Sequence, residues 1–174
     1  MESFLQLEKD EHILRVTLNR PERRNALSTP ICEGLLALPA QVKADLDIRC
    51  VVITGAGEGF CSGADLKERR ELDEAARWRY VELVDKALLE IEAIPVPTIA
   101  AVNGHALGGG TELALGCDFR YSVAHANFGL TETGIGIIPT GSIVRLLRDG
   151  YDSLNSLLAY TAGHFPAIKM QEMG

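Results

Sequence analysis

The spacing of apolar residues along the chain predicts several short strands. The stretch "ILRVTLNRP" alternates apolar and polar positions, as a strand does, and the alternation stops at Pro21. The runs in "RCVVITGAGEGF" and "PTIAAVNG" are rich in apolar and β-branched residues, which is typical of buried parallel strands. A further strand is predicted in "DFRYSV". These strands are separated by glycine-containing turns or by segments with another period.

Helical spacing predicts the segments between and after the strands. Residues 73–93 carry apolar positions at helical intervals, and "GGTELALG" predicts a short helix. Residues 141–165 are predicted to be helical, and "FPAIKMQEMG" to begin another helix. Because strands alternate with helices, the chain is predicted to be an α/β protein with right-handed crossovers.

One predicted helix begins in "STPICEGLLAL" and contains two prolines. Thr29 is expected to cap it and Pro30 to occupy its first turn, where a missing N–H costs nothing. Pro39 is expected to interrupt this helix or end it early, because proline removes a helical hydrogen bond.

Composition narrows the class of protein. The chain has 174 residues, of which 47% are hydrophobic and 24% charged, and its net charge is −7. These values suit one soluble domain over residues 1–174 and argue against broad nucleic-acid binding or a polybasic membrane surface. No targeting or membrane-spanning segment is recognisable, so a cytoplasmic location is expected. The four cysteines and four histidines lack metal-ligand spacing, so we expect no metal and buried free thiols.

Two glycine-rich turns carry the candidate chemistry. "TGAGEGFCSG" fails the GxGxxG pattern and lacks the GK[ST] ending of a phosphate loop, and Ser62 is not in a GxSxG elbow. "GHALGGGTELALG" places one acid, Glu112, in an otherwise apolar helix. Each turn follows a predicted buried strand and enters a helix. Either turn alone would be explained more simply as an ordinary turn.

Together the two turns predict an oxyanion site. The amides at a helix start have no helical partner and carry the positive end of the dipole, so two such starts can hold a developing oxyanion. Ala64 supplies one amide and Gly109 the other. Glu112 lies three residues after Gly109, so its carboxylate is expected beside the same first turn and suits proton transfer.

Four ordered stretches resemble a known family. "NRPERRNAL", "FCSGADLKE", "AVNGHALGGGTELALGCDFR" and "FGLTETGIGIIP" are similar to the signature stretches of the enoyl-CoA hydratase/isomerase (crotonase) superfamily. The resemblance implies a spiral of ββα units and assembly as a homotrimer or hexamer. It also implies an acyl-CoA thioester substrate whose carbonyl oxygen binds the amides of Ala64 and Gly109. CoA would enter with the substrate, and no separate cofactor is expected.

The resemblance adds a second acid, Glu132, which the residues alone would not have singled out. Hydratases of the family use two glutamates, here Glu112 and Glu132, whereas isomerases often keep only the later one. Keeping both favours an enoyl-CoA hydratase over the alternative, a double-bond isomerase. Two further alternatives remain open. A non-catalytic member is one, and RNA binding through the arginines of "KERRELDEAARWRY" is the other, although acids lie between those arginines.

The expected substrate-binding residues lie on the same loops, together with basic residues expected near the phosphates of CoA. They are Gly63, Ala64, Asp65, Leu66, Lys67, Gly109, Arg23 and Arg24. Arg20 is expected in the same basic patch. The resemblance divides the single domain into a spiral core over about residues 1–150 and the start of a truncated C-terminal helical region over residues 151–174.

Overall fold

The computed structural model describes residues 3–138 and 152–172, which form strands, α-helices and two 3-10 turns. The strands are β1 (Leu5–Asp10), β2 (Ile13–Leu18), β3 (Cys50–Gly55), β4 (Thr98–Val102), β5 (Ala106–Leu107), β6 (Phe119–Ser122), β7 (Asn127–Gly129) and β8 (Phe165–Pro166). The helices are α1 (Thr29–Ala44), α2 (Leu66–Glu71), α3 (Glu74–Glu92), α4 (Gly109–Leu115), α5 (Asp152–Thr161) and α6 (Ala167–Glu172). The 3-10 turns cover Pro21–Arg23 and Glu132–Ile135.

Two sheets are formed. The larger has the order β1-β2-β3-β4-β6, in which β1 and β2 form an antiparallel hairpin and all other neighbours are parallel. The smaller has the order β5-β7-β8, with β5 parallel to β7 and β7 antiparallel to β8. Isolated parallel bridges join Cys61 to Ala106 and Leu27 to Ala64. The first of these bridges connects the loop after β3 to β5 of the smaller sheet, and the second connects it to the segment before α1.

The chain alternates between the two sheets. β4 lies in the larger sheet, β5 in the smaller one, and α4 follows; β6 and β7 repeat the pairing. The loop after β3 likewise bridges to the smaller sheet before α2 begins. This succession is the predicted α/β architecture of ββα units.

The main core is formed where α1 and α3 pack together. Tyr80, Val84, Leu88 and Ile91 are buried at helical spacing on α3, as predicted for residues 73–93. The matching face of α1 contributes buried side chains that include Ile31, Leu35, Leu38 and Val42. None of the four cysteines forms a disulfide. Cys32, Cys61 and Cys117 are buried, as expected, whereas Cys50 is only half-buried.

Two details of α1 correct the sequence prediction. The N-cap residue is Ser28 rather than Thr29, although Pro30 does lie in the first turn. Pro39 was expected to interrupt or end the helix, but α1 continues to Ala44. Proline deletes one backbone hydrogen bond, and the apolar stripe on both sides of Pro39 stays buried, so packing outweighs that loss.

Several other elements agree with the sequence prediction. Strands occur in each of the predicted stretches, α4 covers most of "GGTELALG", and the predicted C-terminal helix is present as α6. For the helix predicted over 141–165, α5 covers part, and residues 141–151 lie outside the described residues. The division of the domain near residue 150 also falls there and stays a prediction.

Candidate active site

The two glycine-rich turns approach each other closely. Gly63 has a φ of +86°, and a Cβ added to it would lie 2.8 Å from the Leu107 carbonyl oxygen and 3.0 Å from the Gly109 nitrogen. Leu107 in turn donates its amide to the Cys61 carbonyl at 2.9 Å. Only glycine combines this backbone conformation with so close an approach. The structure therefore brings together the two loops that sequence reasoning paired.

The amides of Ala64 and Gly109 are the two that sequence reasoning selected. α4 begins at Gly109, and the carbonyl of Gly108 accepts the amides of Thr111 at 2.8 Å and Glu112 at 3.1 Å. Within the described residues, neither the Ala64 amide nor the Gly109 amide donates a hydrogen bond. Two unpaired donors on touching loops are what an oxyanion site requires.

A buried tyrosine fixes the loop that carries Ala64. The Tyr80 hydroxyl donates to the Leu27 carbonyl at 2.6 Å and accepts the Asp65 amide at 2.7 Å. Leu27 donates its own amide to the Gly63 carbonyl at 2.8 Å. Both neighbours of Ala64 are thus held by hydrogen bonds. Burial raises the pKa of the Tyr80 hydroxyl, which therefore stays protonated.

Asp65 caps the N-terminus of α2. Its carboxylate accepts the amides of Lys67 at 3.0 Å and Glu68 at 3.1 Å, and it forms an ion pair with Arg20 at 2.9 Å. Burial acts to raise the pKa of Asp65, but the Glu68 amide and the Arg20 guanidinium lower it below its usual value. Arg20, expected in the basic patch, is therefore already paired. The role of Asp65 in substrate binding stays a prediction.

The other expected substrate-binding residues surround the first loop. Leu66 and Lys67 are exposed in the first turn of α2. Arg23 and Arg24 are exposed as well, and the Arg24 carbonyl accepts the Ser62 amide at 3.0 Å. These basic residues are consequently close in the chain or in space to the loop of Gly63 and Ala64, and their contact with CoA stays a prediction.

The two glutamates flank the step between Gly108 and Gly109. A Cβ added to Gly108 would lie 2.8 Å from Glu132 Oε1, and one added to Gly109 would lie 3.7 Å from Glu112 Oε2. Glu112 is only 5% exposed. The 3-10 turn after β7 brings Glu132 to the same place. Two carboxyl groups therefore stand beside Gly108 and Gly109, the two residues joined by the peptide that carries the unpaired Gly109 amide.

The fold perturbs the ionisation of Glu132. Burial raises the pKa of this carboxyl to about 7, and the nearby charge of Glu112 acts in the same direction. Glu132 Oε2 is buried and has no hydrogen-bond partner among the described residues. A carboxyl that titrates near neutrality, beside a second one, is suited to acid–base catalysis.

Sequence reasoning missed two buried polar residues that support the site. Tyr80 was treated as part of an ordinary helix, and the available signal was its position on the apolar stripe of that helix, four residues before Val84, with a polar hydroxyl. Asn25, which is fully buried, donates to the carbonyls of Ala56 at 2.9 Å and Gly59 at 2.8 Å. It thereby fixes the loop that follows β3.

Metal and membrane features are absent from the part of the chain that the structure describes. There, no group of three or more histidine, cysteine or acidic residues could hold a metal ion. No helix in those ranges is long and apolar enough to span a bilayer.

Comparison with known proteins identifies the family. The family model described as enoyl-CoA hydratase/isomerase matches residues 8–174. The chain belongs to this family. Among curated relatives, human enoyl-CoA hydratase domain-containing protein 2, mitochondrial, is 43% identical over 95% of this chain. The short-chain-enoyl-CoA hydratase of Clostridium acetobutylicum is 36% identical over 97% of it. The chain spans 57% and 65% of those two proteins.

Comparison with solved structures shows that this chain has the fold of the enoyl-CoA hydratase/isomerase family. The crystal structure of enoyl-CoA hydratase from Bacillus anthracis superposes with a TM-score of 0.93 at 39% identity. The match covers 98% of this chain and 67% of that protein. The predicted fold class is therefore confirmed, and members of this family act on CoA thioesters.

Proposed function

We propose that the protein is an enoyl-CoA hydratase, which adds water across the 2,3 double bond of an acyl-CoA thioester. The observation that carries the proposal is the pair of carboxyl groups, Glu112 and Glu132, beside the unpaired amides of Ala64 and Gly109. An isomerase needs one proton-transferring group, whereas hydration needs one group for water and one for carbon. CoA arrives with the substrate, and no other cofactor takes part.

The proposed mechanism begins with polarisation of the thioester. Its carbonyl oxygen accepts hydrogen bonds from the Ala64 and Gly109 amides, which draws electrons from C3 through the conjugated double bond. Glu112 takes a proton from water as the water oxygen bonds to C3. The π electrons move to form an enolate whose negative charge rests on the thioester oxygen, where the two amides stabilise it.

The second step returns a proton to carbon. The enolate collapses, and C2 takes the proton from the protonated Glu132 carboxyl, which completes the addition of water. The pKa of about 7 supports this assignment, because an appreciable fraction of Glu132 is then protonated near neutral pH. Proton exchange with solvent resets the two glutamates.

Incubation with crotonyl-CoA in ¹⁸O-labelled water tests the proposal. A hydratase consumes the conjugated thioester, so its ultraviolet absorbance falls, and the 3-hydroxyacyl product gains one heavy oxygen. Glu112→Gln is expected to slow this reaction by ~10²–10⁴-fold. Unchanged crotonyl-CoA, or full activity in Glu112→Gln, would contradict the mechanism.

Double-bond isomerisation is the second candidate, and the titration of Glu132 near neutrality is the observation that favours it. One such carboxylate removes a proton from C2 of a 3-enoyl thioester, which leaves an enolate conjugated with the 3,4 double bond. The same group then returns the proton to C4, so that the double bond moves to the 2,3 position. A 3-enoyl-CoA substrate separates the candidates, because an isomerase converts it to the conjugated thioester without incorporating oxygen. In that case Glu132→Gln would abolish activity and Glu112→Gln would retain it.

We further propose that the protein acts as a homotrimer or hexamer, as the family resemblance implies. Sedimentation velocity of the purified protein tests the assembly directly, and a monomer at all concentrations would contradict it.

A further inference from the structure

A cleft of about 300 Å³ lies between α2, the start of α3 and the 3-10 turn at Glu132–Ile135. The residues that line it are Leu66, Arg69, Arg70, Arg77 and Ile135. Leu66 and Ile135 are apolar, and the other three side chains each carry a guanidinium group. These arginines belong to the stretch "KERRELDEAARWRY", and the fold directs them to one concave surface.

Two of the residues that line the cleft are close in the chain to residues of the candidate active site. Leu66 is the first residue of α2 and lies two residues after Ala64. Ile135 ends the 3-10 turn that begins with Glu132. A group bound in the cleft would therefore lie between the first oxyanion loop and the second acid. Arg69 and Arg70 stand about one helical turn farther along α2, roughly 5–6 Å from Leu66.

The three guanidinium groups have no acidic partner in the described residues. Arg77 is oriented by hydrogen bonds from Nε to the Arg69 carbonyl at 3.2 Å and from Nη2 to the Arg70 carbonyl at 3.5 Å. Two nearby acids are engaged elsewhere: the Glu68 carboxylate accepts from Thr29, and Asp73 caps α3. The cleft therefore carries three clustered guanidinium groups, none of which forms an ion pair within the described residues.

We propose, building on the proposed function, that the acyl group of the substrate carries a second carboxylate at its far end. The thioester would then be a half-ester of an unsaturated dicarboxylic acid. Its distal carboxylate binds Arg69, Arg70 and Arg77, and Leu66 and Ile135 contact the methylene segment. Guanidinium groups bind carboxylates through paired, charge-assisted hydrogen bonds. A wholly apolar acyl tail would instead remove water from these charges without replacing it.

Binding of two saturated thioesters tests the proposal. Glutaryl-CoA and pentanoyl-CoA have acyl chains of equal length, and they differ in the distal carboxylate. Isothermal titration should show glutaryl-CoA binding ~10–100-fold more tightly, which is the usual strength of one hydrogen bond to a charged group. Equal affinities, or tighter binding of pentanoyl-CoA, would overturn the proposal.

Variants that each remove one positive charge test which arginines cause the preference for glutaryl-CoA. Arg69→Gln and Arg70→Gln should each lower the ratio of the two affinities by about tenfold. Arg79→Gln removes the same charge from an exposed position of α3 outside the cleft and should leave the ratio unchanged. If Arg69→Gln and Arg70→Gln weaken both thioesters equally, these residues bind the phosphates of CoA and the proposal is overturned.

The binding experiment is independent of turnover, because neither saturated thioester can be hydrated. A preference for glutaryl-CoA that depends on Arg69 and Arg70 supports the cleft assignment, even where no enoyl-CoA is hydrated. That combination would refute the hydratase proposal alone. Hydration of pent-2-enoyl-CoA in preference to its distal carboxylate analogue, glutaconyl-CoA, would refute the assignment of the cleft alone.

Discussion

Replacing Glu132 with glutamine should stabilise the protein at alkaline pH while it impairs catalysis. The fold raises the pKa of Glu132 from 4.5 to about 7 through burial and, to a lesser extent, the charge of Glu112. Between these two values the folded protein binds more protons at this site than the unfolded chain does. Stability is consequently lost as the pH rises from about 4.5 to about 7, and it stays at the lower value above that.

The size of this loss follows from the difference in pKa. Relative to low pH, ionisation of Glu132 lowers the free energy of unfolding by about 1 kcal/mol at about pH 5 and by about 3 kcal/mol at about pH 8. Partial access of water to this half-buried side chain reduces these values. Glu132→Gln does not ionise, so we expect it to be about 1–3 kcal/mol more stable than the original protein at about pH 8. The advantage should be smaller at about pH 5.

Urea unfolding of both proteins at the two pH values measures the difference. Glu58→Gln is the matched control, since Glu58 is exposed, and it should change stability by less than about 0.5 kcal/mol. In parallel, kcat/KM for hydration should fall about tenfold per pH unit above about pH 7, because Glu132 must be protonated. Equal stabilities of Glu132→Gln and the original protein at both pH values would refute the reasoning.

Three further results are expected. The double variant of Glu112→Gln and Glu132→Gln should be little slower than the slower single variant in a crotonyl-CoA assay, since the two groups act as a unit; multiplicative losses would argue against this. Gly109→Val should weaken both acyl-CoA binding and turnover, because even a Cβ there would lie 2.9 Å from Leu27 Cδ1. Tyr80→Phe should lower the free energy of unfolding by about 1–3 kcal/mol in urea titration, since it removes two buried hydrogen bonds. A change within experimental error would show that the hydroxyl does not fix the loop.

Local rules predicted the parts of the site that lie within one turn or one helix start. The spacing from Gly109 to Glu112 spans a single helical turn, so the sequence alone was enough to associate the acid with the amide. Ala64 was selected by the same rule, but the structure caps α2 with Asp65 and begins it at Leu66, so Ala64 precedes the helix start that the sequence predicted. The periodicity of residues 73–93 likewise predicted α3, because a buried helical face needs only regular spacing.

Relations between distant residues were decided by the tertiary structure. Glu132 lies in a short 3-10 turn with no distinctive local pattern, and only the packing of the smaller sheet brings it to Gly108 and raises its pKa. The contact of Tyr80 with Leu27 joins α3 to a loop far away in the sequence. Pro39 remains helical because tertiary packing of α1 outweighs a local penalty. Residue spacing specifies contacts along one element, whereas contacts between elements depend on how the layers pack.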